Sequence, residues 1–295
     1  MPLRLADPGS YVIDAADYHA DPAPEPSLSH SIMRALLGQS PRHARFLHPR
    51  LCPDPTPRTP TAAMEEGTIM HHLILGASSP PVIVAADDWK KAAARDARDD
   101  ARAAGRAPIL AWRYAELCEC AREVTAQLRE EPECAAFFAR GRSEVTLLWQ
   151  TGPVWSRALV DRLPNAPGAP MFDLKSTGMS AAPDFFRRTI ERDHAMQAVH
   201  YLRGGSAVLD VPPLDFRFLV YETRRPYGVA CFRPSPNLLE TAEAEVRRAN
   251  VLWARCTILD EWPGYPPGLH DVEPSASAII KAETDKLQWT MSEAA

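Results

Sequence analysis

The stretch SEVTLLWQTGPVWSRALVDRLPNAPGAPMFDLKST (143–177) decides the fold. SEVTLLWQ, the turn TGPV and WSRALVDRL read as a β-hairpin across 143–163. After the proline-rich loop PNAPGAP, MFDLKST (171–177) reads as a third strand. Side chains alternate along a strand, so Asp173 and Lys175 share one face while Leu174 turns into the core. Asp161 ends the strand before the loop.

Beyond this stretch the pattern alternates in type. APDFFRRTIERDHAMQAVHYLRGG (182–205) reads as a helix stopped by Gly-Gly. DFRFLVYE (215–222) and YGVACFRP (227–234) form a second strand pair, and SPNLLETAEAEVRRANVLWARCTILDEW (235–262) is a long amphipathic helix. Upstream, SLSHSIMRALLG (27–38) is a short helix capped by Ser27 or Ser29. TAAMEEGTIMHHLILG (61–76) is a helix ending at Gly76. A charged, Ala-rich helix (87–105) and a longer one (109–131) follow, and CPDPTPRTP (52–60) is a loop by its proline content. The order of helices, β-β-β-α-β-β and helix implies an α/β fold: a central mixed sheet flanked by helices, with an α-rich N-terminal part. The expected divisions are an extended lead-in over 1–26, one domain over 27–262 and a polar tail over 263–295.

Composition narrows the class. Apolar residues make up 45% of 295, enough for a substantial core. No apolar run reaches the roughly 18 residues of a membrane span, and the N-terminus lacks the continuous apolar stretch of a signal peptide, so a cytoplasmic protein is expected. The six cysteines show no CxxC and no zinc spacing. A net charge of −5 argues against a passive nucleic-acid coat, though not against an enzyme with a local basic groove and a bound metal. Only five of the 33 cations are lysine, which makes a lysine in a distinctive place informative.

Lys175 is in such a place. If the strands holding Asp161 and Asp173 are neighbours, two carboxylates meet with an ammonium beside them. Carboxylates that close both stay ionised only with a cation between them. Mg2+ suits this, since it takes hard oxygen ligands and binds through one or two carboxylates together with substrate phosphate. The lysine then orients or deprotonates an attacking water, or stabilises charge on the phosphate. Gln197 and Tyr201, spaced i, i+4, share a helix face that should lie against the strand and offer polar partners for phosphate and water. His71, in GTIMHH (67–72), is a metal-ligand candidate, and Glu144 can add a carboxylate.

This set resembles the PD-(D/E)xK nuclease superfamily and, more narrowly, the phage and prophage exonuclease VIII (RecE-like) nuclease domain. The resemblance rests on GTIMHH, SRALVDRL, FDLKST, the helix carrying Gln197 and Tyr201, and SLSHSIMRALLGQSPRHARF (27–46), and it runs over roughly 27–262. It implies that His71, Asp161 and Asp173 are metal ligands, with the Leu174 carbonyl as a further one, and that Lys175 is the catalytic lysine. Gln197 and Tyr201 would belong to the supporting helix motif, and Ser29, Arg34 and Arg42 would contact a DNA end or phosphate. It also implies Mg2+, replaceable by Mn2+, as cofactor, double-stranded DNA ends as substrate, a homo-oligomeric ring and a single-strand annealing protein as partner. The cysteines do not follow the one-early, three-late pattern of the superfamily's iron–sulfur members, so no cluster is expected. Two alternatives stand beside the exonuclease: an endonuclease of the same superfamily, and a catalytically idle DNA-binding module on this fold.

Overall fold

The computed structural model describes residues 3–54 and 59–293; the centre of the 52–60 loop lies outside the described residues. Its centre is a six-stranded sheet in the order β1 (Gly9–Val12), β4 (Gly141–Thr151), β5 (Val154–Pro164), β6 (Met171–Thr177), β7 (Phe216–Glu222), β8 (Val229–Phe232). All neighbours are antiparallel except β6 and β7. A parallel pair needs a crossover, and here it is α7 (Pro183–Thr189), a π-helical turn (Ile190–His194) and α8 (Ala195–Val208).

The N-terminal part holds α1 (Ala15–His19), α2 (His30–Gly38), α3 (Pro41–Leu47) and α4 (Ala62–Leu75). A small lobe follows: β2 (Val82–Val84), α5 (Ala92–Ala103), β3 (Pro108–Leu110) and α6 (Ala111–Glu130), with β2 and β3 paired in parallel. A 3-10 segment (Pro132–Phe138) leads to β4, and α9 (Pro236–Leu259) follows the sheet. Residues 265–295 form a separate unit carrying α10 (Ala276–Glu293). Among the described residues no helix is long and apolar enough to cross a membrane.

Both sheet faces are covered. Phe172, Leu174, Leu219 and Tyr221 pack with Ile69 and Met70 of α4 and with Leu117, Val124 and Leu128 of α6. Val145, Val160, Met171, Phe216 and Phe218 pack with Phe186, Ala198 and Tyr201 on the crossover side. A third cluster joins α2, α8 and α9 around Met33, Val199, Val246 and Trp253.

Two expectations need correction. The first 26 residues are not an extended lead-in. β1 adds an edge strand to β4, and Asp21, fully buried at a φ of 64°, sits in a charged cluster under the sheet. It accepts from the Ser27 amide (3.0 Å) and hydroxyl (2.5 Å) and pairs with Arg157 (3.2 Å), His48 (3.2 Å) and Arg50 (3.4 Å). Burial opposes its charge, but these partners win and hold its pKa down at about 2. The body containing the sheet therefore begins well before residue 27 and runs to Gly264. The second correction concerns Gly204-Gly205, which does not stop α8. A Cβ on Gly204 would fall 2.6 Å from the Trp149 ring, and one on Gly205 would collide with Met171. The pair lets the helix lie close on β4 and β6, and packing outweighs the weak helix propensity of glycine.

His200, one turn before that contact, packs on Trp149 and donates from Nε2 to the Arg157 carbonyl at 3.0 Å. Burial pushes its pKa down to about 3 from the usual 6.5. The unfolded chain takes up this proton below pH 6.5 while the folded chain does not, so stability present above pH 6.5 is lost progressively as pH falls toward 3. The slope from this one group is about 1.4 kcal/mol per pH unit. His200→Gln should flatten the acid limb relative to wild type, read as urea midpoints between pH 7 and 4. Parallel limbs would remove His200 from the account.

Candidate active site

β5 and β6 pair at Arg162 and Phe172 and then part. Val160 belongs to the crossover-side cluster, so alternation turns Asp161 toward α4. Met171 belongs to that same cluster, so Asp173 faces α8. The two carboxylates come from opposite faces and meet where the strands splay. There Asp161 Oδ2 accepts the Leu174 amide at 2.7 Å, taking a donor that a continuous ladder would have used. The carbonyl of Leu174 is the group that the family resemblance assigns to metal; its amide is committed to Asp161.

Asp161 and Asp173 are both buried. Gln197 Nε2 on α8 donates to Asp173 Oδ1 at 2.5 Å. Lys175 Nζ lies 2.6 Å from Asp173 Oδ2, an ion-pair contact without hydrogen-bond geometry, which leaves that buried oxygen short of a bonded partner. Burial, and then the charge of Asp173, pushes the Asp161 carboxyl up to about 6, against the pull of His71 and Lys175.

His71, on α4, stands between two acids, with Nε2 3.6 Å from Asp161 and Nδ1 3.7 Å from Glu144. Burial alone would lower its pKa; the charge of Asp161, followed by Glu144 and Asp173, lifts it to about 9. Glu144 has a φ of 50°, a rare backbone for a side chain of its size, and falls between the paired residues Ser143 and Val145 of β4. Its carboxylate accepts from the hydroxyl of Ser78. Ser78 was not among the sequence candidates: its role depends on a left-handed turn (φ 63°) just past Gly76, for which the sequence carries no signal.

The other candidates are placed differently. Tyr201 is buried in the apolar cluster, edge-on to Phe216 at 5.5 Å. Its phenol pKa is raised well above the ordinary value, chiefly by burial, with Asp173 and Asp161 among the further causes. Ser29 is buried at the N-cap of α2. Arg34 pairs with Asp193 at 3.1 Å. Arg42 donates its amide to the Pro263 carbonyl and packs beside Gly264. His71, Glu144, Asp161, Asp173, Lys175 and Gln197 are thus brought together, while the described contacts of Ser29 and Arg42 lie elsewhere.

Among the described residues no three His, Cys, Asp or Glu side chains converge as a ready-made metal cage. The ammonium of Lys175 takes one oxygen of Asp173, and the imidazole of His71 fills the space between Glu144 and Asp161. The donors nonetheless fit a hard divalent cation. Two buried carboxylates compete for ionisation, a third stands behind an imidazole, and one buried carboxylate oxygen lacks a hydrogen bond.

No family model and no curated protein matches the chain. A crystal structure of a "Putative exonuclease" from Eubacterium rectale superposes with a TM-score of 0.59 at 11% sequence identity, covering 92% of this chain and 99% of that one. The two chains share one fold.

Proposed function

We propose that this chain is a Mg2+-dependent exodeoxyribonuclease that degrades linear double-stranded DNA from its ends, in phage-type recombination in the cytoplasm. The observation that carries this reading is the meeting of Asp161 and Asp173 at the splayed strands with Lys175 against Asp173. The fold shared with the Eubacterium rectale structure described as a putative exonuclease adds support. Asp161, Asp173, the Leu174 carbonyl and His71 would hold the metal, with Glu144 behind the imidazole. When bound, Mg2+ or Mn2+ supplies the positive charge that lets both carboxylates ionise and that polarises a phosphodiester. Lys175 would orient or deprotonate the attacking water beside the scissile phosphate. Gln197 fixes the rotation of Asp173 through Oδ1, and Tyr201, one turn further along α8, seats that helix in the apolar cluster beside Phe216. A homo-oligomeric ring and a single-strand annealing partner belong to the same reading.

The test is the topology of the substrate. With Mg2+, linear duplex should be degraded while covalently closed circular duplex survives. Rapid linearisation of the circle would favour an endonuclease on the same fold, and no cleavage of either would favour an idle DNA-binding module.

His71 gives a second test. Its replacement by Ala should raise the Mg2+ concentration for half-maximal rate by about 10- to 100-fold, the range typical of groups that shape a metal site. His72→Ala should not, because the His72 ring already closes the helix end on the carbonyls of Ala77 (3.1 Å) and Ser78 (3.2 Å). An unchanged metal dependence in His71→Ala would make His71 a packing residue.

A further inference from the structure

Two cysteines far apart in the chain come together on the α6 face of the sheet. Cys134, in the 3-10 segment, is fully buried in the cluster of Leu128, Phe137 and Phe172. Cys231, on the edge strand β8, is half-buried and packs against the same cluster. Both are free thiols, and they lie within hydrogen-bonding reach of each other.

Arg217 brackets the pair. β7 and β8 pair Leu219 with Cys231, and Arg217, two residues before Leu219, shares its face, so its side chain stands diagonally across from Cys231. The same guanidinium donates to the Glu133 carbonyl and lies 2.9 Å from the Glu133 carboxylate, one residue before Cys134. The backbone around Cys134 is held too: its amide donates to the Glu131 carbonyl at 2.9 Å, and Arg162 donates to the Phe137 carbonyl at 3.0 Å.

The two thiols differ in kind. The Cys231 thiol is held below the ordinary thiol range, by the hydrogen bond from Cys134 first and then, against burial, by the Arg217 charge. The same contact, followed by burial, pushes Cys134 up. Burial also pushes up the thiols of Cys120 and Cys256, as expected of inert packing cysteines. Cys231 goes the other way and is open to solvent on one side. A reachable, acidified thiol beside a buried second thiol is the arrangement of a redox-reactive pair.

We infer that Cys231 and Cys134 form an oxidation site, in which Cys231 reacts with a hydroperoxide and Cys134 resolves the product into an intrachain disulfide. The Cys231 thiolate attacks one peroxide oxygen, the O–O bond breaks, and the alkoxide leaves and takes a proton from water. The sulfenic acid left on Cys231 is then attacked by the Cys134 sulfur. An S–S bond forms, and the hydroxyl departs with the Cys134 proton as water. Two thiols are oxidised, and one hydroperoxide is reduced to an alcohol and water. The bridge would tie the segment before β4 to the edge strand β8, closing a loop that holds Glu144, Asp161, Asp173, Lys175 and Gln197.

The test is chemical and stands apart from the nuclease reading. Reduced, folded protein is treated with an equimolar dose of hydrogen peroxide, blocked with an alkylating reagent and mapped by mass spectrometry. The expected result is a linked Cys134–Cys231 peptide pair within one chain, with loss of two of the six thiols and recovery of both in dithiothreitol. In Cys134→Ser, Cys231 should accumulate as a sulfenic acid trapped by dimedone; in Cys231→Ser, Cys134 should stay reduced. Oxidation that falls first on Cys52 or Cys118, which are half-buried as well, would overturn the proposal. So would a bridge between chains, or a Cys134→Ser variant without oxidised Cys231. Should either Ser variant fail to fold, the wild-type map decides alone.

Discussion

Asp161→Asn should reduce cleavage of linear duplex by at least about 10³-fold, because groups that act as one unit with a metal each carry several kcal/mol of transition-state stabilisation. Asp173→Asn should do the same. Asp161→Asn should also leave the fold as stable as before, or more so, when metal is chelated. The Asp161 carboxyl, raised to about 6 by burial and by Asp173, destabilises the folded state above that pH relative to an ordinary carboxylate, and the amide removes this penalty. Asn keeps an oxygen for the Leu174 amide. The combination of lost activity with an unchanged or higher melting temperature in EDTA at pH 8 marks a site that trades stability for chemistry. A variant that loses activity and melts markedly lower would indicate a structural role. Wild-type activity that persists in EDTA would sink the metal mechanism outright.

Lys175→Arg should be nearly as inactive as Lys175→Ala, with a loss of at least about 10²-fold, the low end for a general acid–base group. The chain uses lysine at only five of its 33 cationic positions, yet keeps one here. A guanidinium would satisfy a need for charge alone. The Lys175 ammonium is compact and lies 2.6 Å from Asp173 Oδ2, where it presents a point charge with three donors instead of a planar fork. Single-turnover rates at saturating Mg2+ decide: an arginine variant within a few-fold of wild type would reduce Lys175 to a counter-ion of Asp173.

Much of this centre was legible in the sequence because it is local. The period-two pattern of MFDLKST fixes Asp173, Leu174 and Lys175 on their faces, and β6 spans Met171–Thr177 as expected. Thr61 and Gly76 bracket the helix of His71 because cap chemistry is local too. What could not be read depends on partners distant in the chain. β1 is a strand because β4 lies beside it. Gly204 and Gly205 look like a stop until Trp149 and Met171 are placed against them. The turn of Glu144 toward His71 comes from a left-handed residue inside a strand, where propensity argues for none. Gln197 was expected to meet phosphate or water; its amide is used on Asp173 because α8 packs directly over β6.

The buried cluster around Asp21 constrains how the chain comes off the ribosome. Arg157 bonds the Ser27 carbonyl and hydroxyl from 130 residues downstream, and β1 needs β4. Ser27, His48 and Arg50 can reach Asp21 early, but Arg157 and the β4 edge emerge more than a hundred residues later, so the cluster stays incomplete until β5 is made. Contacts this far apart slow folding and expose the waiting segment to proteases and chaperones. An affinity tag or trimming at the N-terminus that disturbs Asp21 would leave Arg157 as an uncompensated buried charge, costing about 3–5 kcal/mol. Expression design should place tags with that late-closing latch in mind.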